Sequence, residues 1–184
     1  YGYIKREKAL AVPYQFAYAR PFDPETGLGG VNIGGTKRGA AIPQDGKWGF
    51  VNAQNHLAIN PKYYSPPNGA SPFDPASLAL IMHEGYIFSE GLAAVRTEDE
   101  WIYIDHRDTV MIRNPRIRSA RRFSCGLANV YIDGRWGYIN RRGETVIEPK
   151  YRFPANFVPV PLTQAEQDSL QAALRKEKAP APRR

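Results

Sequence analysis

Residues Asp133–Tyr151 read DGRWGYINRRGETVIEPKY, and this stretch is written again, with changes, elsewhere in the chain. An earlier copy, Asp45–Tyr63, reads DGKWGFVNAQNHLAINPKY, so the Trp-Gly pair, the following aromatic and the closing Pro-Lys-Tyr stay in step. Glu100–Ile117 is a more divergent copy, and Tyr1–Tyr14 fits the end of a fourth. Such recurrence indicates a repeat architecture, in which neighbouring units bury each other's apolar faces.

A second pattern precedes the tryptophan of each copy. Phe88–Val95 reads FSEGLAAV and Phe123–Val130 reads FSCGLANV, while Phe22–Val31 is a looser version with two extra residues. Trp101 and Trp136 are 35 residues apart, which gives the basic period. Periods of this length are typical of arrays built from one repeated supersecondary unit.

Each unit contains turn signals between runs of β-branched and aromatic residues. Asp133-Gly134 favours a tight hairpin turn with positive φ at both residues. Asn140–Gly143 supplies a second turn whose glycine can take a left-handed conformation, and Asp105 recurs at the position of Asn140, where both should bond their own turn backbone. We therefore predict a three-stranded antiparallel meander, with Pro149 ending its last strand because proline cannot donate to the ladder.

These blocks resemble the WG-repeat family, whose members are largely bacterial. The resemblance rests on three blocks that recur in order over roughly residues 1–157. It implies an all-β fold in which the meanders stack into a solenoid-like array. The predicted units are 1–21, 22–87, 88–122 and 123–157, within a repeat domain of residues 1–161.

The repeated aromatics and glycines are predicted to hold this fold together. One unit cannot bury its own face, so large rings are needed between units, and a glycine beside each tryptophan allows a close approach. The structural set is Trp48, Gly49, Trp101, Trp136, Gly137, Tyr138 and Tyr151. The alternative is that the rings are exposed and stack on sugars or on a partner's side chains.

The third copy departs from the pattern at two points. Trp101-Ile102 replaces the Trp-Gly pair, and His106–Asp108 replaces the turn glycine. We therefore expect this copy to be distorted.

Two insertions stretch the period, at residues 32–44 and 65–86. Insertions in repeats map to loops on one face, which is often the binding face. The second insertion predicts one short helix that begins after Asp74. The first contains Gly30–Lys37, GVNIGGTK, in which Thr precedes Lys, the reverse of the phosphate-loop order. The residues predicted to contact a partner here are Lys37, Arg38, Phe73 and Met82.

The repeat pattern fails after Phe157. Thr163 and Glu166 have the spacing of a capping box, and they predict a C-terminal helix over residues 162–178. Such a helix would cap the array by covering its last open sheet edge. The basic tail, residues 179–184, is predicted to be disordered.

The chain carries a formal net charge of +7, which is unevenly distributed. In the cluster between the third and fourth units, Arg118, Arg121 and Arg122 are predicted to contact a protein partner with an acidic surface, because arginine binds carboxylates with two hydrogen bonds. The alternative is a solvated ridge without a partner. No nucleic-acid-binding motif accompanies the charge, so nucleic acid is not expected.

The sequence shows no catalytic or metal-binding pattern. His56, His83 and His106 lie in different units without metal-ligand spacing. Cys125 stands where the preceding unit has Glu90, which indicates a tolerated substitution rather than a nucleophile. Because no nucleophile, base and stabilising group occur together, we expect neither enzyme activity nor a cofactor.

No apolar run reaches the roughly 18 residues that a membrane span needs, and no signal peptide is recognisable. We expect a soluble protein without membrane insertion, in the bacterial cytoplasm or periplasm. Because the chain lacks an initiator Met and starts inside a repeat, we also expect it to be part of a longer protein.

These observations together predict a non-catalytic protein-binding repeat module. Such a module could neutralise or regulate a protein partner, such as a toxin or an enzyme. The alternative is a glycan- or cell-envelope-binding module that uses exposed aromatic rings. Burial of Trp48, Trp101 and Trp136 would remove the stacking platform that this alternative requires.

Overall fold

A computed structural model describes residues 1–4, 10–36, 43, 45–66, 85–153 and 155. Over these residues the fold is all-β, with three four-stranded antiparallel sheets and one two-stranded sheet, none of them closed. The described part of the chain contains no helix. The helices predicted within 65–86 and at 162–178, and the tail at 179–184, lie outside the described residues and stay predictions.

Each four-stranded sheet is a meander in which consecutive strands are neighbours. The two-stranded sheet consists of β1 (Tyr3–Ile4) and β2 (Leu10–Val12). Sheet I consists of β3 (Tyr18–Phe22), β4 (Leu28–Ile33), β5 (Lys47–Asn52) and β6 (Leu57–Tyr63). Sheet II consists of β7 (Phe88–Ser89), β8 (Leu92–Arg96), β9 (Trp101–Ile104) and β10 (Val110–Arg113). Sheet III consists of β11 (Ile117–Ser124), β12 (Leu127–Ile132), β13 (Arg135–Asn140) and β14 (Thr145–Tyr151).

The sheets have four strands, so the predicted three-stranded unit is wrong by one strand. The segment Phe-x-x-Gly-Leu, read from sequence as part of one strand, contains a hairpin turn. Glu90 and Gly91 have φ of 53° and 77°, and Cys125 and Gly126 have φ of 54° and 77°. Two consecutive positive φ values match the right-handed twist of flanking strands. The residues before the turn therefore form a first strand, and the predicted boundary between residues 122 and 123 falls inside β11.

The other predicted turns are confirmed. Asp133 and Gly134 have φ of 49° and 81°, and Gly143 has φ of 80°. The side-chain oxygen of Asn140 accepts hydrogen bonds from the backbone N–H groups of Arg142 and Glu144, at 2.9 and 3.1 Å. Asn52 and Asp105 cap the equivalent turns of sheets I and II in the same way.

The prediction that Pro149 ends its strand is wrong, because β14 continues to Tyr151. This strand is a sheet edge, and its register shifts opposite the segment between Trp136 and Tyr138. An edge strand with a bulge tolerates proline because its outward N–H is not needed for the ladder. Pro61 lies inside β6 in the same way.

The bulged edge strand explains the glycine of the Trp-Gly pair. A Cβ atom at position 137 would lie 2.7 Å from the carbonyl oxygen of Ile147 and 2.8 Å from the nitrogen of Pro149. At Gly49 the corresponding distances, to Ile59 and Pro61, are 2.5 and 2.8 Å. A side chain at either position would therefore collide with backbone atoms, which cannot move aside as a flexible side chain can.

Rings from successive units pack against each other. The ring pairs are Tyr3 with Phe22, Phe50 with Phe88 and Tyr103 with Phe123, with centroids 4.3, 4.7 and 5.0 Å apart. Trp48 of sheet I also stacks on Tyr86, which precedes sheet II, at 4.3 Å and an interplanar angle of 14°. One cluster of buried apolar residues consequently extends through sheets I, II and III.

At three junctions between units, a tyrosine hydroxyl donates a hydrogen bond to a backbone carbonyl oxygen. The donors are Tyr3, Tyr103 and Tyr138, and the acceptors are the carbonyl oxygens of Arg20, Arg121 and Ala155, at 2.7, 2.8 and 2.9 Å. Burial raises the pKa of Tyr103 above its ordinary value, so its hydroxyl stays protonated and donates. Each acceptor precedes a phenylalanine by two residues, so Ala155 occupies the repeat position of Arg20 and Arg121.

Candidate functional site

Sheet II differs from its neighbours at its outer strand. Strand β10 ends at Arg113, because Asn114 is an extra residue that places Pro115 outside the strand. Ile102, on β9, stands where sheets I and III have glycine. Ile102 pairs directly with Arg113 of β10, without the register shift that sheets I and III have at this position, so the isoleucine side chain fits and is buried. The expectation that the third copy is distorted is therefore confirmed.

A cleft lies between this region and sheet I. Its volume is about 270 Å³, and its walls come from the end of β6, the β8–β9 turn, β9 and β10. The lining residues are Lys62, Tyr63, Tyr64, Thr97, Glu98, Ile102, Asp108, Val110 and Arg113. The cleft thus has an aliphatic and aromatic floor and charged side chains around it, which is the composition of many ligand pockets.

Asp108 joins the two sheets at one side of the cleft. It stands at the repeat position of Gly143 and keeps a left-handed conformation, with φ of 68°. Its carboxylate accepts a hydrogen bond from the hydroxyl of Tyr63 and forms an ion pair with Lys62. Burial, and then the hydrogen bond and negative charge of Asp108, raise the pKa of Tyr63 above its ordinary value. The phenol is therefore neutral and serves as a donor at physiological pH.

The rim of the cleft presents cations outward. The side chain of Lys62 is 53% exposed and that of its partner Asp108 is 26% exposed. Arg113 is 59% exposed, whereas Glu100, which it contacts at 3.1 Å, is 19% exposed. Ion pairs at such exposure contribute little to stability, so the two cations can exchange partners at low cost. Glu98 is the exposed acidic residue among those that line the cleft.

The predicted partner-contact residues are distributed as follows. Lys37, Arg38, Phe73 and Met82 lie outside the described residues. The second insertion begins at Ser65, next to the cleft residue Tyr64, and the Ser65 hydroxyl accepts a hydrogen bond from the indole nitrogen of Trp48 at 2.9 Å. Ser65, the first residue of this insertion, therefore lies next to the cleft.

The three predicted arginines do not form one surface. Arg118 is exposed and Arg122 is half-buried. Arg121 is buried, with its guanidinium carbon 5.4 Å from the ring centroid of Trp136. Arg20 approaches Trp48 similarly, at 6.0 Å, in the equivalent part of sheet I. A buried cation over a tryptophan face is attracted by the ring and acts in packing, so only Arg118 lies fully on the surface.

The predicted structural residues lie mostly in the core. Trp48, Trp101 and Trp136 are 0, 3 and 0% exposed. Tyr138 is buried as well, whereas Tyr151 of the outer strand β14 is exposed. None of the three indole rings can stack on a ligand from solvent.

Sequence reasoning missed the cleft residues Lys62 and Tyr63, whereas Arg113 belongs to the basic cluster that the sequence shows between the third and fourth units. The signal for the site was the irregularity of the third copy, in which the extra Asn114 places Pro115 beyond the end of β10. The replacement of the turn glycine by Asp108 was visible, but its contacts with sheet I depend on how the sheets pack.

Within the described residues, no three His, Cys, Asp or Glu side chains are grouped so that they could hold a metal ion. No helix in the described ranges is long and apolar enough to cross a membrane.

The fold and its repeated Trp-Gly strands define a β-repeat protein. Comparison with protein families shows that the WG containing repeat family matches residues 48–86 and 136–153. These two segments are therefore similar to WG repeats, as the sequence predicts. Both matched segments start at a Trp-Gly pair, and the copy around Trp101 lies outside them. No curated protein and no solved structure matched the chain.

Proposed function

We propose that this chain is a non-catalytic protein-binding module, built as a solenoid-like array of WG repeats. The observation that carries the proposal is the cleft between sheets I and II, which opens where the repeat pattern breaks. Repeat positions are occupied by packing, as the buried tryptophans show. A departure from the repeat that creates a concave, partly apolar site is where a binding function can reside.

Charge favours a partner with an acidic surface. The chain has a net charge of +7, the cleft rim presents Lys62 and Arg113, and Arg118 is exposed on sheet III. Charges of this kind speed encounter with a surface of opposite sign and make it depend on salt. We propose that the second insertion, whose first residue lies next to the cleft, contributes to the same surface. Neutralisation or regulation of the bound protein, such as a toxin or an enzyme, is the role we propose for the interaction.

The glycan-binding alternative finds less support. It requires exposed rings in the repeats, and the three tryptophans are buried. The exposed aromatic residues of the described part are Tyr1, Tyr14, Tyr151 and Phe153, which belong to the first and last units and include none of the repeat tryptophans. We therefore do not favour that function.

The test is capture of a partner by the full chain immobilised as bait in an extract of its native host. A matched variant is shortened within both insertions, 32–44 and 65–86, but keeps the end of β4 and the core residues Ser65 and Tyr86. Loop length changes closure entropy only slowly, so the sheets should still fold. We expect a protein retained by the full chain and lost from the shortened one, with matching β-sheet circular dichroism. Equal retention by both would place the interface elsewhere, and no specific partner under varied salt would contradict the proposal.

A further inference from the structure

The outer strands of the three sheets differ in their protection against pairing with another chain. Strands β6, β10 and β14 each form the last edge of a sheet. An exposed edge is a template for pairing with another chain, and proline in the strand blocks it. Pro61 lies in β6 and Pro149 in β14, whereas Pro115 lies two residues beyond the end of β10. Of these three outer strands, β10 is therefore the one without a proline, and its register shifts once, between Val110 and Ile112.

Strand β10 also exposes adjacent apolar side chains. Val110 is 42% and Met111 is 54% exposed. Val146 of β14 has the same repeat position as Met111, because each precedes the isoleucine that pairs with the aromatic of the third strand. Val146 is exposed too, but its strand contains Pro149. The two strands therefore form a natural pair of test and control.

The proline-free edge of β10 and the cleft are continuous. Val110 and Arg113 belong to β10 and also line the cleft. In a strand, alternate side chains point to opposite faces, so one side-chain set of an added strand would face the cleft. Addition of a peptide to a sheet edge takes affinity from main-chain hydrogen bonds and specificity from pockets for alternate side chains.

We propose that β10 binds an extended segment of the partner protein as a fifth strand of sheet II. An apolar side chain of that segment enters the cleft over Ile102 and Val110. An acidic side chain lies between Lys62 and Arg113, whose outward exposure exceeds that of their own acidic partners. This proposal rests on the protein-binding function and specifies its mode.

The experiment begins with a random-peptide display library selected on the full 184-residue chain. We expect the selected peptides to share apolar residues at alternate positions and one carboxylate, without a central proline. On binding, outward amides of Val110–Arg113 should exchange with solvent more slowly, while those of β6 and β14 stay unchanged. Peptides N-methylated on the pairing edge keep every side chain but lose donors, so they should bind about tenfold more weakly or worse.

Matched variants distinguish peptide binding at the β10 edge from non-specific binding to exposed apolar side chains. Met111→Lys should weaken peptide binding by about tenfold, because lysine on an edge strand opposes addition of another strand. Val146→Lys should leave it unchanged. Arg113→Glu should weaken binding and flatten its salt dependence, whereas Arg135→Glu, at an exposed site beside the β12–β13 turn, should do neither. Thermal melts of all four variants verify that the sheets remain folded.

Any of three results would refute strand addition at β10. These are that no peptide is selected, that the N-methylated peptides bind as tightly as the unmodified ones, or that amide exchange in β10 does not change on binding. If the host partner is captured equally by the wild-type chain and by Met111→Lys, the protein-binding function stands and strand addition at β10 fails. If no partner is captured but peptides add to β10, the proposed binding of a host protein fails and strand addition at β10 stands.

Discussion

Sheets II and III have the same strand order but differ at their outer strands. In sheet III, β14 runs through Pro149 and requires Gly137 opposite it. In sheet II, the outer strand stops at Arg113 and Ile102 replaces the glycine. The comparison teaches that the two residues of the Trp-Gly pair have separate causes. Tryptophan is required by core packing, which both sheets share. Glycine is required by the second register shift of β14, opposite Trp136–Tyr138, which β10 lacks because Arg113 pairs directly with Ile102.

The largest effect is expected from the shared residue. Trp136→Ala should lower the free energy of unfolding by about 3–5 kcal/mol, because the ring is fully buried. Trp101→Ala should cost a similar amount despite the loss of the adjacent glycine, since its ring is also buried. Urea denaturation followed by circular dichroism measures both. A cost below about 1 kcal/mol at either site would mean that the ring is not part of the core.

A smaller effect tests the residue that differs. Gly137→Ala should destabilise the protein by about 1–3 kcal/mol, because its Cβ would contact backbone atoms of β14. The matched change Ile102→Val in sheet II removes a methylene from a buried side chain and should cost about 0.5–1.5 kcal/mol. Both are measured by the same denaturation. A neutral Gly137→Ala would refute the close approach of the bulged strand.

A larger side chain in the β12–β13 turn of sheet III should destabilise the protein through backbone strain alone. Gly134 has φ of 81°, and a Cβ there would meet no atom within 4 Å. Gly134→Val should therefore cost more than about 1 kcal/mol through strain, without any clash. Asp99, in the corresponding turn of sheet II, does not have positive φ, and Asp99→Val should change stability by less than about 0.5 kcal/mol. Equal melting temperatures for the two variants would contradict this account.

The smallest effect compares the capping residues Asp105 and Asn140. Slight burial opposes ionisation of Asp105, but hydrogen bonds from the backbone N–H groups of Thr109 and Arg107 outweigh it and hold its pKa below 3.8. A lowered folded-state pKa gives stability that is present above pH 3.8 and lost as pH falls through the folded value. Asp105→Asn should remove this acid-dependent loss and preserve stability at pH 7. An unchanged acid-denaturation profile would show that the cap does not titrate as described.

The sequence predicted the parts of the fold that depend on local conformation. The repeat, the Asp133-Gly134 turn and the caps at Asp105 and Asn140 follow from turn chemistry, which a few neighbouring residues decide. The strand count was wrong because Glu90 and Cys125 do not favour positive φ, so the hairpins they begin carry only glycine as a signal. Pro149 was misplaced because a single sequence does not show whether a strand is an edge.

The candidate site was less accessible from sequence. The contacts of Asp108 with Lys62 and Tyr63 bring together residues 46 and 45 positions apart. Their distance depends on how sheets I and II pack, which no local pattern encodes. Arg121 was grouped with exposed arginines because its neighbours in sequence are exposed, yet strand alternation and a register shift in β11 turn it toward Trp136.

The tyrosine hydrogen bond found at three junctions has a consequence for how such a chain can evolve. Its acceptor is always a main-chain oxygen, and the residues that supply it are Arg20, Arg121 and Ala155. Because every amino acid carries that oxygen, the junction places no demand on the identity of the accepting residue. A unit gained by gene duplication can therefore join its neighbour at once and then diverge at this position without loosening the connection.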